Sequence, residues 1–121
     1  MNTPQHAAFQ GGETVKRSFL YNRQYVIVAV YEVLDKSGAE YRKTGPSTVS
    51  SEMSVYGNRS LFSISVDERG AGTELSVTMA HPCDGLSPSG VQRALNAVAD
   101  SISQYLENEL VMNASRLAEN A

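Results

Sequence analysis

Only one cysteine, Cys83, occurs in the 121 residues, so no disulfide can form within the chain and stability has to come from packing. That usage suits a reducing compartment. No apolar run approaches the roughly 20 residues of a membrane span, which excludes a helical membrane anchor within this sequence. The first residues, MNTPQHAAFQGGET, have neither the basic leader nor the apolar stretch of a secretory signal, so a cytoplasmic protein is expected. Basic charge is also short: 10 Lys and Arg against 13 Asp and Glu give a net charge of -3, no footprint for nucleic acid. With His6 and His81 as the only histidines and Cys83 as the only cysteine, a four-ligand metal site would need partners from elsewhere in the fold, and no metal-binding or catalytic signature rises out of the sequence. The expectation is no catalytic residue, no metal and no cofactor.

What remains is one domain's worth of ordinary globular sequence, large enough to bury roughly two-thirds of its unfolded surface. Residues 1–12 hold Pro4, Gly11 and Gly12 without periodicity and read as a disordered arm, leaving 13–121 as a single domain. From Thr14 to Tyr21, Val15, Phe19 and Tyr21 share a face opposite Lys16 and Ser18, a first strand with Arg17 out of pattern. Tyr25 to Leu34 is ambiguous. Its valines favour a strand, whereas its length, an N-cap at Asn22 and the exit Asp35-Lys36-Ser37-Gly38 favour a helix. The helix would carry a polar stripe through Gln24, Glu32 and Asp35, broken by Val28, and a strand would have to be central and covered on both faces.

Glu40 to Thr44 reads as a charged edge strand, ended by Gly45 and Pro46. Three alternating segments follow. Val49, Met53 and Val55 face inward on the first, Phe62, Ile64 and Val66 on the second, and Leu75, Val77 and Met79 on the third. Gly57-Asn58 is the expected two-residue turn between the first two, and Glu68 to Gly72 the loop before the third. A one-sided sheet needs a cover, and the expected cover is a terminal helix capped near Ser87 or Ser89. Its stripe is Val91, Leu95, Val98, Ile102, Tyr105, Leu106 and Leu110. From Val91 to Leu117 it would span about 40 Å, against about 27 Å for an eight-residue strand. The overhang, with Val111, Met112 and Leu117, suggests a homodimer contact or a frayed end.

The helix-like YVIVAVYEVLDKSG, the strand GTELSVT after a glycine-containing loop, and LNAVADSISQYL in the terminal helix resemble the helix-grip superfamily. That group comprises START-related and pollen-allergen-like proteins (SRPBCC), and the likeness is to its compact bacterial members, from Phe19 to about Leu110. It tips Tyr25 to Leu34 to helix. The fold class is then α+β, of order β-α-β4-α, an antiparallel curved sheet packed on a long C-terminal helix. The same element order occurs in each half of TATA-box-binding protein, but the acidic balance and the polar outer face argue against DNA binding. The resemblance implies a sheet curling round the helix, often with a cavity for an apolar ligand, although this chain lacks the extra strands and helix of the large members.

Met53, Phe62, Ile64, Met79, Val98 and Ile102 are the expected cavity lining if a small apolar ligand binds. A solidly packed interior would leave the protein-contact reading instead. The alternatives are a homodimeric interaction protein without ligand and a small cyclase or hydrolase, the last disfavoured because the inner faces are almost wholly apolar. His81, Pro82, Cys83 and Asp84 form the densest reactive cluster, read as a solvated turn ahead of a thiol nucleophile or metal site. Six tyrosines fit half-buried positions as well as they fit ligand orientation. Gly70, Ala71 and Gly72 precede a strand and read as turn residues, where a phosphate loop would precede a helix.

Overall fold

The computed structural model describes residues 13–55 and 57–120, with side chains as far as residue 108. The expected arm over 1–12, Tyr56, the side chain of Leu110 on the expected stripe, and those of Val111, Met112 and Leu117 expected at a dimer contact lie outside that description. In chain order the elements are β1 (Thr14–Phe19), α1 (Arg23–Lys36), β2 (Glu40–Gly45), β3 (Thr48–Val55), β4 (Asn58–Arg69), β5 (Gly72–His81) and α2 (Pro88–Asn120). All neighbours pair antiparallel in the order β1-β5-β4-β3-β2, giving the α+β class and element order expected from the sequence.

The ambiguous segment is a helix because both ends are chemically defined. The Asn22 side chain accepts the amide of Tyr25 at 3.1 Å, satisfying a donor the first turn leaves free. At the other end Gly38, with φ of 70°, gives its amide to the Asp35 carbonyl, and the Ala39 amide bonds that of Leu34. Those two bonds make the left-handed glycine cap. Val26, Ala29, Val30 and Leu34 are buried, so the branched residues lie along the packed stripe where tertiary contact outweighs propensity.

One hairpin turn is shifted by a residue from the expectation and the other is shorter. Val55 pairs with Asn58, so Asn58 is the first residue of β4, and the positive φ sits at Gly57 (86°). Likewise Arg69 pairs with Gly72, which shortens the expected loop 68–72 to Gly70-Ala71. Gly72 has a further steric reason: a Cβ there would lie 2.2 Å from the Phe19 carbonyl oxygen. Arg17, out of pattern in the sequence, faces inward at the sheet edge and reaches α2. Its guanidinium donates to Asn96 Oδ1 at 2.9 Å and Asp100 Oδ1 at 3.1 Å.

Ser87 caps α2, accepting the Gly90 amide at 3.1 Å, and Pro88 occupies the first position, where its missing amide costs nothing. The stripe needs two corrections. Ala99 is buried where Val98 was expected and Val98 is half-buried, because the line Val91, Leu95, Ala99, Ile102, Leu106 follows the true helical repeat. Nor is α2 the sole cover: α2 lies on β1 and β5, α1 lies on β4 and β5, and the helices touch each other. The core is a layer of aliphatic side chains with Phe62 and Met79 between those helices and one sheet face.

Candidate functional site

The six residues expected to line a cavity do not behave alike. Phe62, Ile64, Met79 and Ile102 are exposed by 0–1% and pack as core, whereas Met53 and Val98 are half-buried at its margin. Only Ile64 of the six also lines a described crevice.

That crevice lies between α1 and the β2–β3 hairpin. Ile27, Val30 and Tyr31 come from the helix, Val49 from β3, and Ile64 and Val66 from β4, with Lys43 and Pro46 at its rim. It lies where α1, packed mainly on β4 and β5, meets the inner face of β3 and the edge strand β2. Register explains the rim: Lys43 pairs with Val49 and Tyr41 with Ser51, both inward residues, so Tyr41 and Lys43 also project toward α1. The enclosed space is about 10 Å³, the lower bound for one water.

Two polar contacts close the ends of the crevice. At one, the Tyr41 hydroxyl donates to Asp35 Oδ1 at 2.7 Å and its ring lies 5.5 Å from that of Tyr31. The bond to the Asp35 carboxylate, with lesser help from desolvation and neighbouring negative charge, raises the Tyr41 pKa above the usual 10.0. At the other, the Arg23 guanidinium donates to Ser47 Oγ at 2.6 Å and to the Pro46 carbonyl at 3.2 Å. Asp35 is thus more than the solvated helix residue expected from sequence. Its role follows from the inward register of Tyr41, which alternation along β2 would have indicated had the strand not looked uniformly charged.

Two open depressions complete the described relief. One of about 330 Å³ lies on the outer sheet face among Glu40, Arg42, Ser50, Glu52 and Leu61, where Arg59 bridges both glutamates. The other, about 290 Å³, lies between the end of α1 and α2, beside the Lys36 ammonium, 5.3 Å from the Tyr105 ring centroid. Across the outer face runs a row of small polar residues, Thr14, Thr78, Ser63 and Ser50, ending at Arg42.

The exterior of α1 is different in kind. Tyr25 and Val28, neighbours one turn apart, are 50% and 52% exposed, and Leu20, just before the helix, is 90% exposed. The Glu32 and Asp35 carboxylates follow along the same side of the helix.

The reactive cluster is a structural corner. His81 and Asp84 are exposed, while Cys83 is half-buried with its amide donating to Ser60 Oγ at 2.9 Å. Among the described residues no group of three or more His, Cys, Asp or Glu is placed to hold a metal ion. No described helix is long and apolar enough to cross a membrane. The buried hydroxyls act as stitches: Ser51 donates to the Glu40 carbonyl at 3.0 Å and Thr73 to that of Tyr21 at 2.8 Å.

No family model matches the chain, and no curated protein does. Among solved structures it is similar to the crystal structure of Ara h 8.0201, with a TM-score of 0.40 and 10% identity, over 79% of this chain and 98% of that one. A likeness of that size carries nothing about ligand or chemistry.

Proposed function

We propose that this chain is a non-catalytic binding module of the helix-grip kind that works by protein contact, with the outward side of α1 as its contact surface. One observation carries the reading: the interior is filled, while Leu20, Tyr25 and Val28 stand in solvent around one helix. Phe62, Ile64, Met79 and Ile102 occupy the space that an internal ligand would need, so burial has been spent on packing. Apolar side chains grouped on an exterior and bordered by carboxylates are the usual composition of a docking patch. Among the described residues the buried side chains form no acid, base or nucleophile cluster that would favour the cyclase or hydrolase reading, and the helix-grip reading rests on the element order.

The test places a photo-crosslinking amino acid at Val28 and, separately, at Ser65 on the outer sheet face, in the protein expressed in its native cell. A single discrete adduct from position 28, absent from position 65 and abolished by Tyr25→Glu, is the expected result. Equal crosslinking from both positions, or none from position 28, would overturn the assignment of this surface.

A further inference from the structure

The α1 contact surface proposed above, on which this inference rests, has two unlike halves. Tyr25, Val28, Glu32 and Asp35 follow one another at helical spacing, a single stripe about 15 Å long on the outer side of the helix. Its first half, joined by Leu20 ahead of the helix, is apolar and half or more exposed. Its second half is acidic. Glu32 makes no ion pair or hydrogen bond among the described residues, and the Asp35 carboxylate accepts the Tyr41 phenol but meets no cation there. Both cations of α1 are engaged elsewhere: the Lys36 ammonium lies over the Tyr105 ring, and the Arg23 guanidinium is held by Ser47 and the Pro46 carbonyl. The negative end of the helix dipole adds to Asp35 in the last turn. We propose that this surface receives an arginine-bearing segment of another protein, its apolar side chains against Leu20, Tyr25 and Val28 and its guanidinium on Glu32 and Asp35.

Charge complementarity selects this occupant over the others. Glu32 and Asp35 are neighbours one turn apart, a spacing that a planar guanidinium can bridge with separate N–H donors, whereas an ammonium is a point charge. Three apolar side chains fall well short of the roughly 20–30 residues a side of a standard interface, so the partner contributes a short segment and not a domain face. A second copy of this chain is a poor match. An isologous contact of α1 with α1 would bring two more carboxylates and no free guanidinium. An anionic membrane surface is also a poor match, because its charge has the same sign as Glu32 and Asp35.

The experiment titrates a synthetic amphipathic helix, with leucines on one face and arginines one turn beyond them, into the full chain and follows the backbone amide resonances. A twin peptide with citrulline for each arginine keeps the shape and removes the charge. Saturable shifts at Leu20, Tyr25, Val28 and Glu32 are expected, with the arginine peptide about tenfold tighter than its twin at low salt. Glu32→Gln combined with Asp35→Asn should erase that difference and leave the affinity of the twin unchanged. The amide at 35 can still accept the Tyr41 phenol, so the melting temperature should hold and tie the effect to the contact. Absence of saturable shifts, shifts that map to another surface, equal affinity of the two peptides, or a difference that survives the double substitution overturns the proposal. Any of these with the adduct from position 28 still formed leaves α1 as a contact surface and removes only its arginine-bearing partner. Absence of that adduct removes the surface and this partner together.

Discussion

Under α2 and the inner side of α1, the flank of the sheet formed by β1, β5 and β4 is closed by aliphatic side chains that reach zero exposure, Leu75, Val77, Leu95 and Ile102 among them. The opposite flank, where β3 meets β2, is met by α1 only along its margin, with Val49 at 6% and Val55 at 8% exposure, and its edge strand is tied to α1 by a phenol on a carboxylate and a guanidinium on a turn. The first arrangement gains from area removed from water, which is non-directional and large. The second gains from a few exposed polar contacts, each worth little on balance because water competes for both partners. One face of one sheet therefore has a rigid half that sets the fold and a lightly fastened half that can respond to something else.

Charge placed under the helices should give the largest effect. Ile102→Asp would bury an unpaired carboxylate at a site with 0% exposure, and it should abolish the cooperative melt. The comparison itself is sharper with truncations. Leu95→Ala, on the dense flank, should cost about 2–5 kcal/mol, since neighbours there cannot collapse into the space. Val49→Ala, on the lighter flank, should cost about 1.5 kcal/mol, close to the transfer value of the carbons removed. Denaturant titration of both variants decides it, and equal losses per carbon removed would show that the two flanks are packed alike.

The sequence carried the dense flank well and the light flank poorly, for a physical reason. Alternation in β3, β4 and β5 is imposed by burial on one face, so Phe62, Ile64, Val66, Leu75, Val77 and Met79 could be assigned to the core without a structure. Caps at Asn22, Gly38 and Ser87 were equally readable, because each is a local solution to unsatisfied backbone groups. Val98 and Ala99 were exchanged because both fit an apolar stripe and only the phase of the whole helix separates them. Tyr41, Asp35, Lys43 and Arg23 were missed as a group. They sit on two different elements, α1 and β2, and what joins them is the register of an edge strand against a helix, which local pattern does not encode. The expected lining divides for another reason. An apolar inner face is equally consistent with a lined space and a filled one, and summed side-chain volume rather than pattern decides between them.

A smaller and more local effect is expected at the fastening itself. Tyr41→Phe removes one exposed hydrogen bond and keeps the ring against Tyr31, so the global melt should barely move. Amide exchange should rise in β2, Glu40–Gly45, and stay unchanged in β5, since local opening is governed by the contacts of the segment that opens. The bond also has a predictable response to pH. Because the Asp35 carboxylate raises the Tyr41 pKa above 10.0 in the folded chain, the contribution of the phenol is fully present below that ordinary value. It is lost as pH climbs through the raised one. β2 exchange, corrected for intrinsic rates, should therefore show an extra acceleration in that alkaline window for the parent chain and none for Tyr41→Phe. Identical alkaline profiles in the two proteins would mean that the phenol does not fasten the edge strand.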